Sequence, residues 1–114
     1  MSDARLLLCT CPDEACAARI ARVLVEARLA ACVSRVPGLL STYRWNDQVQ
    51  EDAEVLLLIK TRADAVPALK ARLAELHPYE VPEILVLDIA AGLPAYLDWL
   101  RDSVSVSDPP PARS

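Results

Sequence analysis

Two long extended segments joined by a short turn occupy the middle of this 114-residue sequence. The segments Cys32–Trp45 and Val49–Thr61 are rich in β-branched, aromatic and leucine side chains, which favour strands. The turn Asn46-Asp47-Gln48 between them is typical of a β-hairpin. Within the first segment, Pro37-Gly38 removes one backbone donor and loosens the chain, which predicts a bulge. The hairpin is long for so small a chain, so the fold is expected to be built on a β-sheet.

The flanking elements follow from hydrophobic periodicity and from breaker residues. Short apolar runs predict buried strands, and apolar residues at helical spacing predict amphipathic helices. Asp64 is predicted to cap the second helix, and His77-Pro78 to end it. The remaining elements are a strand at Arg5–Cys11, a helix from Asp13 to about Leu29, a second helix from Asp64, a strand at Ile84–Ile89 and a short helix from Pro94.

The resulting order is β-α-β-β-α-β with a further C-terminal helix, which predicts an α+β fold. The sequence favours a ferredoxin-like arrangement, in which two helices cover one face of a four-stranded antiparallel sheet. Residues 1–104 are predicted to form a single domain, and residues 105–114, which end in DPPPARS, a disordered tail. One layer of helices leaves the other sheet face open to water, so self-association is expected to cover it.

Charge and hydropathy argue against nucleic-acid binding, membrane insertion and export. The net charge is −4 and no basic run occurs, which argues against nucleic acid. No apolar run is longer than five residues, as in Val55–Ile59, so no membrane span is expected. The apolar run Leu6–Cys9 is too short for the core of a signal peptide. The four cysteines are expected to stay reduced, and the protein to be cytoplasmic.

Several strings in the sequence resemble the CutA family of divalent-cation tolerance proteins, in the order in which that family carries them. The resemblance implies a ferredoxin-like fold and a compact homotrimer whose long hairpins pack across subunits. It also implies a function in tolerance to divalent metal ions, above all copper, and a distant likeness to the PII signalling proteins. The strings are LCTCPDE (residues 8–14), LAACVSRVPGLLSTYRW (29–45), EVLLLIKT (54–61), HPYEVPEI (77–84) and PAYLDWL (94–100).

The resemblance also implies two metal ligands, Cys9 in the first strand and His77 before the PYEVPE segment. Cu(I) favours thiolates and Cu(II) accepts imidazole, so this pair suits a copper ion. Leu76 stands where some members of the family carry a second histidine. Structural roles compete with ligation, because free cysteines are often buried in cores and a histidine at a helix end can interact with the last carbonyls.

Four further side chains, two cysteines and two glutamates, are candidate ligands. Cys11 lies on the same side of the strand as Cys9, so the two thiols could grip one soft ion, although the resemblance implies a small residue without a thiol at this position. Cys16 falls in the first turn of a helix, where the dipole can lower the pKa of a thiol. Glu80 and Glu83 could bind harder ions, but solvated carboxylates are the simpler expectation.

Two other functions were considered. A PII-like module would bind a small anionic metabolite in clefts between subunits. A ferredoxin-like enzyme such as an acylphosphatase would need a glycine-rich anion loop after the first strand, where this chain has CTCPDE. Because His77 is the only histidine, no Ser-His-Asp or Cys-His nucleophile can be assigned either. The sequence therefore predicts a protein that is not an enzyme.

Overall fold

The computed structural model describes residues 2–106 and confirms the predicted order of strands and helices. A single 3-10 turn, Ala63–Ala65, precedes the second helix. No helix in residues 2–106 is long and apolar enough to span a lipid bilayer. The strands are β1 (Ala4–Cys11), β2 (Cys32–Trp45), β3 (Gln48–Arg62) and β4 (Ile84–Asp88), and the helices are α1 (Glu14–Glu26), α2 (Val66–Leu76) and α3 (Pro94–Ser103).

The four strands form one antiparallel sheet in the order β2-β3-β1-β4, so the first strand of the chain lies inside the sheet. Helices α1 and α2 pack on one face of it, and the mixed α+β class is therefore confirmed. Full burial of a leucine or isoleucine side chain stabilises a fold by about 1.5–3 kcal/mol. The largest side chains of this core are Leu7, Ile20, Leu24, Leu57, Ile59, Leu69 and Leu73, all 0% exposed.

The hairpin between β2 and β3 has the predicted turn and the predicted bulge. Asn46 and Asp47 have φ values of 51° and 60°, a left-handed conformation that asparagine and aspartate tolerate and that type I′ turns require. The register between the strands shifts between Val36 and Leu39, and Gly38 lies there with φ of 80°. Glycine suits this position because it has no Cβ to clash at positive φ.

The two main helices begin differently. Asp13 caps α1, and its Oδ1 accepts a hydrogen bond from the backbone N–H of Cys16 at 2.8 Å. The predicted cap of α2 by Asp64 is wrong, because Ala65 occupies the N-cap position and makes no side-chain bond. Asp64 is instead held by Arg62, with 2.8 Å between Nε and Oδ1, and this partner lowers the pKa of the carboxyl group.

The sheet face turned away from α1 and α2, called the open face below, is apolar and partly exposed. Directly paired residues of neighbouring strands share a face, so Leu8, Leu58 and Leu85 lie side by side on it. Leu85 is 52% and Leu87 is 41% exposed. The structure thus confirms the expectation that one layer of helices leaves this face uncovered. The apolar side chains of the open face include Leu6, Leu8, Val36, Leu56, Leu58, Leu85 and Leu87.

Helix α3 packs at one end of the sheet in a second, smaller core. Leu100 and Val104 are buried there against Ala4. The backbone N–H of Ser105 donates to the carbonyl oxygen of Arg28 at 3.0 Å. From residue 107 onward, the predicted disordered tail lies outside the described residues.

Candidate metal centre

Two cysteines and the single histidine of the chain form a buried cluster between β1 and the end of α2. The Sγ atoms of Cys9 and Cys11 and a ring nitrogen of His77 all lie within 4.8 Å of one another. Both cysteines are 0% exposed and His77 is 7% exposed. The structure thus brings together the two residues predicted as ligands, Cys9 and His77, and adds Cys11 to them.

The local sequence explains how the three side chains meet. Alternation along β1 turns both thiols toward the helices, where Cys9 lies opposite Leu57 and Cys11 opposite Val55. Helix α2 ends at His77, whose backbone is extended with ψ of 136°. Pro78 disfavours helical geometry in the preceding residue, so the proline fixes where the imidazole leaves the helix.

Both ring nitrogens of His77 are hydrogen-bonded, and the bonds define the tautomer. Nδ1 accepts from the backbone N–H of Tyr79 at 3.1 Å, because an amide N–H can only donate. Nε2 lies 2.8 Å from the carbonyl oxygen of Thr10, so Nε2 carries the proton and donates it. The ring thus ties the segment after α2 to β1. The ring bonds go to Thr10 and Tyr79, so the imidazole does not cap the last carbonyls of α2, which is the structural role that competes with ligation.

These bonds set a condition for metal binding by His77. A neutral imidazole has one free lone pair, and here it accepts from Tyr79. A metal ion at Nδ1 displaces that donor, and one at Nε2 moves the proton to Nδ1 with the same result. Losing one hydrogen bond costs about 0.5–1.5 kcal/mol. Since structural zinc sites are worth roughly 10–16 kcal/mol in zinc-finger peptides, the hydrogen bond does not exclude ligation.

The pKa values of two buried thiols, those of Cys11 and Cys16, are raised. A hydrogen bond with Cys9, followed by burial, raises the pKa of the Cys11 thiol well above its ordinary range. Burial, and then the neighbouring Cys11, raise the pKa of Cys16. The pKa of Cys16 is thus raised and not lowered, because burial is the largest cause, and its position in the core fits a packing role. A metal ion must displace these protons to bind a thiolate.

A cleft of about 610 Å³ opens beside the cluster. Thr10 connects the cleft with the metal cluster. It lines the cleft, and its carbonyl oxygen accepts a hydrogen bond from His77 of the cluster. The hydroxyl of Tyr79 donates to Glu54 Oε2 at 2.9 Å across the cleft. Burial, and then this carboxylate, raise the pKa of the Tyr79 phenol. The cleft is lined by the carboxylates of Glu54, Glu80 and Glu83 and by the rings of Tyr43, Trp45 and Tyr79.

Sequence reasoning missed Glu54, although one signal for it was present. Glu54 is a carboxylate directly before the apolar run of β3, at the point where the strand passes from exposed to buried. At 9% exposure it needs a partner, and Tyr79 supplies one. Glu80 and Glu83, which were weighed as ligands for harder ions, line the cleft and are not part of the thiol cluster.

The donor set fits soft and borderline metal ions. Two thiols and an imidazole are the ligands that copper and zinc prefer, whereas magnesium and calcium need several oxygen donors. The cluster has no carboxylate in it. Within residues 2–106, no other group of three or more histidine, cysteine or acidic side chains converges as a metal site.

Comparison with known proteins gives a consistent result. Residues 5–103 match the family model described as CutA1 divalent ion tolerance protein. The chain is 57% identical over 98 residues to the divalent-cation tolerance protein CutA of Thermus thermophilus. This match covers 86% of this chain and 95% of that protein. It is 48% identical over 101 residues to the protein CutA of Mus musculus, where the match spans 57% of the mouse protein. The crystal structure of CutA from Xylella fastidiosa has a TM-score of 0.89 at 47% identity, covering 91% of this chain and 100% of that one.

Proposed function

The chain belongs to the CutA1 divalent ion tolerance protein family, and from this membership we propose that it acts in tolerance to divalent metal ions by binding copper. The proposal rests on one observation. The buried side chains of Cys9 and His77 lie within 4.8 Å of each other, although the two residues are far apart in the sequence. We assign Cys9 as a thiolate ligand and His77 as an imidazole ligand, through a ring nitrogen that lies within 4.8 Å of the Cys9 sulfur. Other divalent first-row ions bind such donors more weakly than copper.

The carbonyl of Thr10 supports this assignment of ligands. Histidines that bind metals usually donate their second ring N–H to a carboxylate or a backbone carbonyl, which fixes the ring and its tautomer. Nε2 of His77 already makes such a bond to Thr10. With Nδ1 as the ligand, the ring is already oriented before an ion binds, and only the bond from the Tyr79 N–H has to be released.

Calorimetry on the purified, reduced protein tests the proposal. We expect saturable copper uptake with one ion per chain, checked by elemental analysis after gel filtration. The idea is lost if the protein takes up no copper while a small metabolite raises its melting temperature.

That second outcome would favour the PII-like alternative, in which an anionic metabolite binds between subunits. The cleft next to the cluster speaks against an anion within the subunit, because Glu54, Glu80 and Glu83 line it.

We also propose that ferredoxin-like subunits assemble into a homotrimer. The strand order β2-β3-β1-β4, with α1 and α2 on one face, is the arrangement expected of such a subunit. The open face supports assembly because a soluble protein rarely leaves a contiguous apolar surface in water. Trp45 and Trp99 are 49% and 47% exposed, and aromatic residues are enriched in interfaces.

Sedimentation equilibrium checks the assembly. We expect a particle of three times the 12.4 kDa chain mass, maintained at nanomolar concentration, because an interface that covers the open face is largely apolar. A monomer at that concentration would contradict the proposal.

The proposed location is the cytoplasm, and the proposed role is not enzymatic. All four cysteines are free, and three of them are buried, which is usual where thiols stay reduced.

A further inference from the structure

Cys11 is the one donor of the buried cluster that the proposed function leaves without a role. Its side chain is 0% exposed, and its Sγ lies within 4.8 Å of both Cys9 Sγ and a ring nitrogen of His77. A buried cysteine alone is usually a small apolar core residue. Cys11 differs because its sulfur converges with two other soft donors on one point.

We infer that Cys11 is a third metal ligand and that the ion held by Cys9, Cys11 and His77 is monovalent copper. This role rests on the proposed copper function and deepens it, since it names both an additional ligand and the oxidation state of the ion.

The spacing of the donors allows one ion to reach all three. An ion at the centre of a triangle with sides of 4.8 Å would lie about 2.8 Å from each corner, against roughly 2.3 Å for a metal–sulfur bond. Each sulfur therefore has to move by about half an ångström, and the imidazole nitrogen by about 0.7 Å because metal–nitrogen bonds are about 2.0–2.1 Å. Small side-chain rotations provide such shifts. Because Cys9 and Cys11 point to the same side of one strand, no backbone rearrangement is needed to bring both sulfurs to the ion.

The number and softness of the donors favour Cu(I) over zinc and Cu(II). Structural zinc is almost always bound by four ligands, whereas the cluster in residues 2–106 supplies three. Soft thiolates select Cu(I), while square-planar or tetragonal sites with nitrogen and oxygen donors suit Cu(II). The two cysteines are fully buried, so they also shield the ion from solvent.

Binding is a ligand exchange without a redox step. The S–H bonds of Cys9 and Cys11 break, two S–Cu bonds form, and two protons leave for the solvent. The imidazole of His77 binds through its lone pair and keeps its proton. Copper remains monovalent, so no oxidant or reductant takes part.

An anaerobic titration with Cu(I) tests the role of Cys11. A colorimetric Cu(I) chelator competes with the reduced protein, and the near-ultraviolet thiolate-to-copper absorption band reports occupancy. Loss of a residue that merely supports a ligand costs 10–100-fold in affinity, so we expect Cys11→Ala to weaken Cu(I) binding by about 100-fold or more. X-ray absorption at the copper edge should show two sulfur neighbours in the wild type and one in Cys11→Ala.

Cys32→Ala is the control, because Cys32 lies on β2 outside the metal cluster and does not contact its sulfurs. This variant should bind Cu(I) like the wild type. Thermal melts establish that each variant is folded. If Cys11→Ala shows no melting transition, Cys11→Ser replaces it, because the smaller change in shape preserves packing.

The outcomes separate this inference from the proposed function. Equal Cu(I) affinity in the wild type and Cys11→Ala would overturn the role of Cys11 and leave the proposed function standing. Uptake of Cu(II) without Cu(I) by the wild type would overturn the assigned oxidation state. Failure of the wild type to take up copper in either state would remove the proposed function itself.

Discussion

Replacement of Leu58 by glutamate is expected to leave the protein a folded monomer. Leu58 lies in the middle of the open face on β3, directly between Leu8 on β1 and Ser34 on β2. Burying a charge without a partner in an apolar interface costs several kcal/mol, which exceeds what most assemblies tolerate. In the separated subunit this side chain is only half-buried, so the carboxylate can reach water and the core remains intact.

Sedimentation equilibrium measures the effect as a change from three times 12.4 kDa to a single chain mass. Ala68→Glu is the matched control, because it adds the same charge at an exposed position of α2 on the opposite side of the sheet. It should assemble normally. A Leu58→Glu protein that still sediments as the assembly would mean that the open face is not the interface.

Cys9→Ser is expected to abolish copper binding while the assembly persists. Serine offers a hydroxyl that is a poor ligand for soft copper, so the site loses a thiolate donor. Burying a hydroxyl without a partner costs about 1–3 kcal/mol, which is less than the roughly 5–15 kcal/mol by which a typical domain is stable. Calorimetry and elemental analysis should therefore find no copper on a folded protein.

Cys32→Ser controls for the general loss of a thiol. Cys32 is partly exposed and lies near Ser34 and Lys60 on β2 and β3, outside the metal cluster. This variant should keep its copper. Unchanged copper stoichiometry in Cys9→Ser would refute the assignment of Cys9 as a ligand.

Features of the fold that depend on local chemistry were predictable from the sequence. The hairpin, the bulge at Pro37-Gly38 and the end of α2 before Pro78 each follow from a few adjacent residues with restricted backbones. The uncovered sheet face was also predictable. Two helices in one layer cover only one face of the sheet, so the other face stays open. The α1 helix was predicted too long, because apolar residues continue beyond Glu26 while the structure ends the helix there.

The details of the site depend on contacts between distant residues, which a single sequence does not reveal. Asp64 has a good capping sequence, yet Arg62 two residues earlier captures its carboxylate. The ring of His77 bonds to Thr10 of β1, and Tyr79 bonds to Glu54 of β3. The sequence does show that Cys9 and Cys11 share a side of one strand. It does not show that His77 lies beside them.

The central position of β1 has a consequence for how a newly made chain folds. Cys9 pairs with residue 57 on one side and with residue 84 on the other, so both partners of the first strand are synthesised long after it. Contacts between such distant residues slow folding, because a long loop must close before they form. Until β4 has left the ribosome, β1 keeps an unpaired backbone edge. The thiols of Cys9 and Cys11 face the helix layer, so they stay open to the surrounding solution until α1 and α2 pack on the sheet.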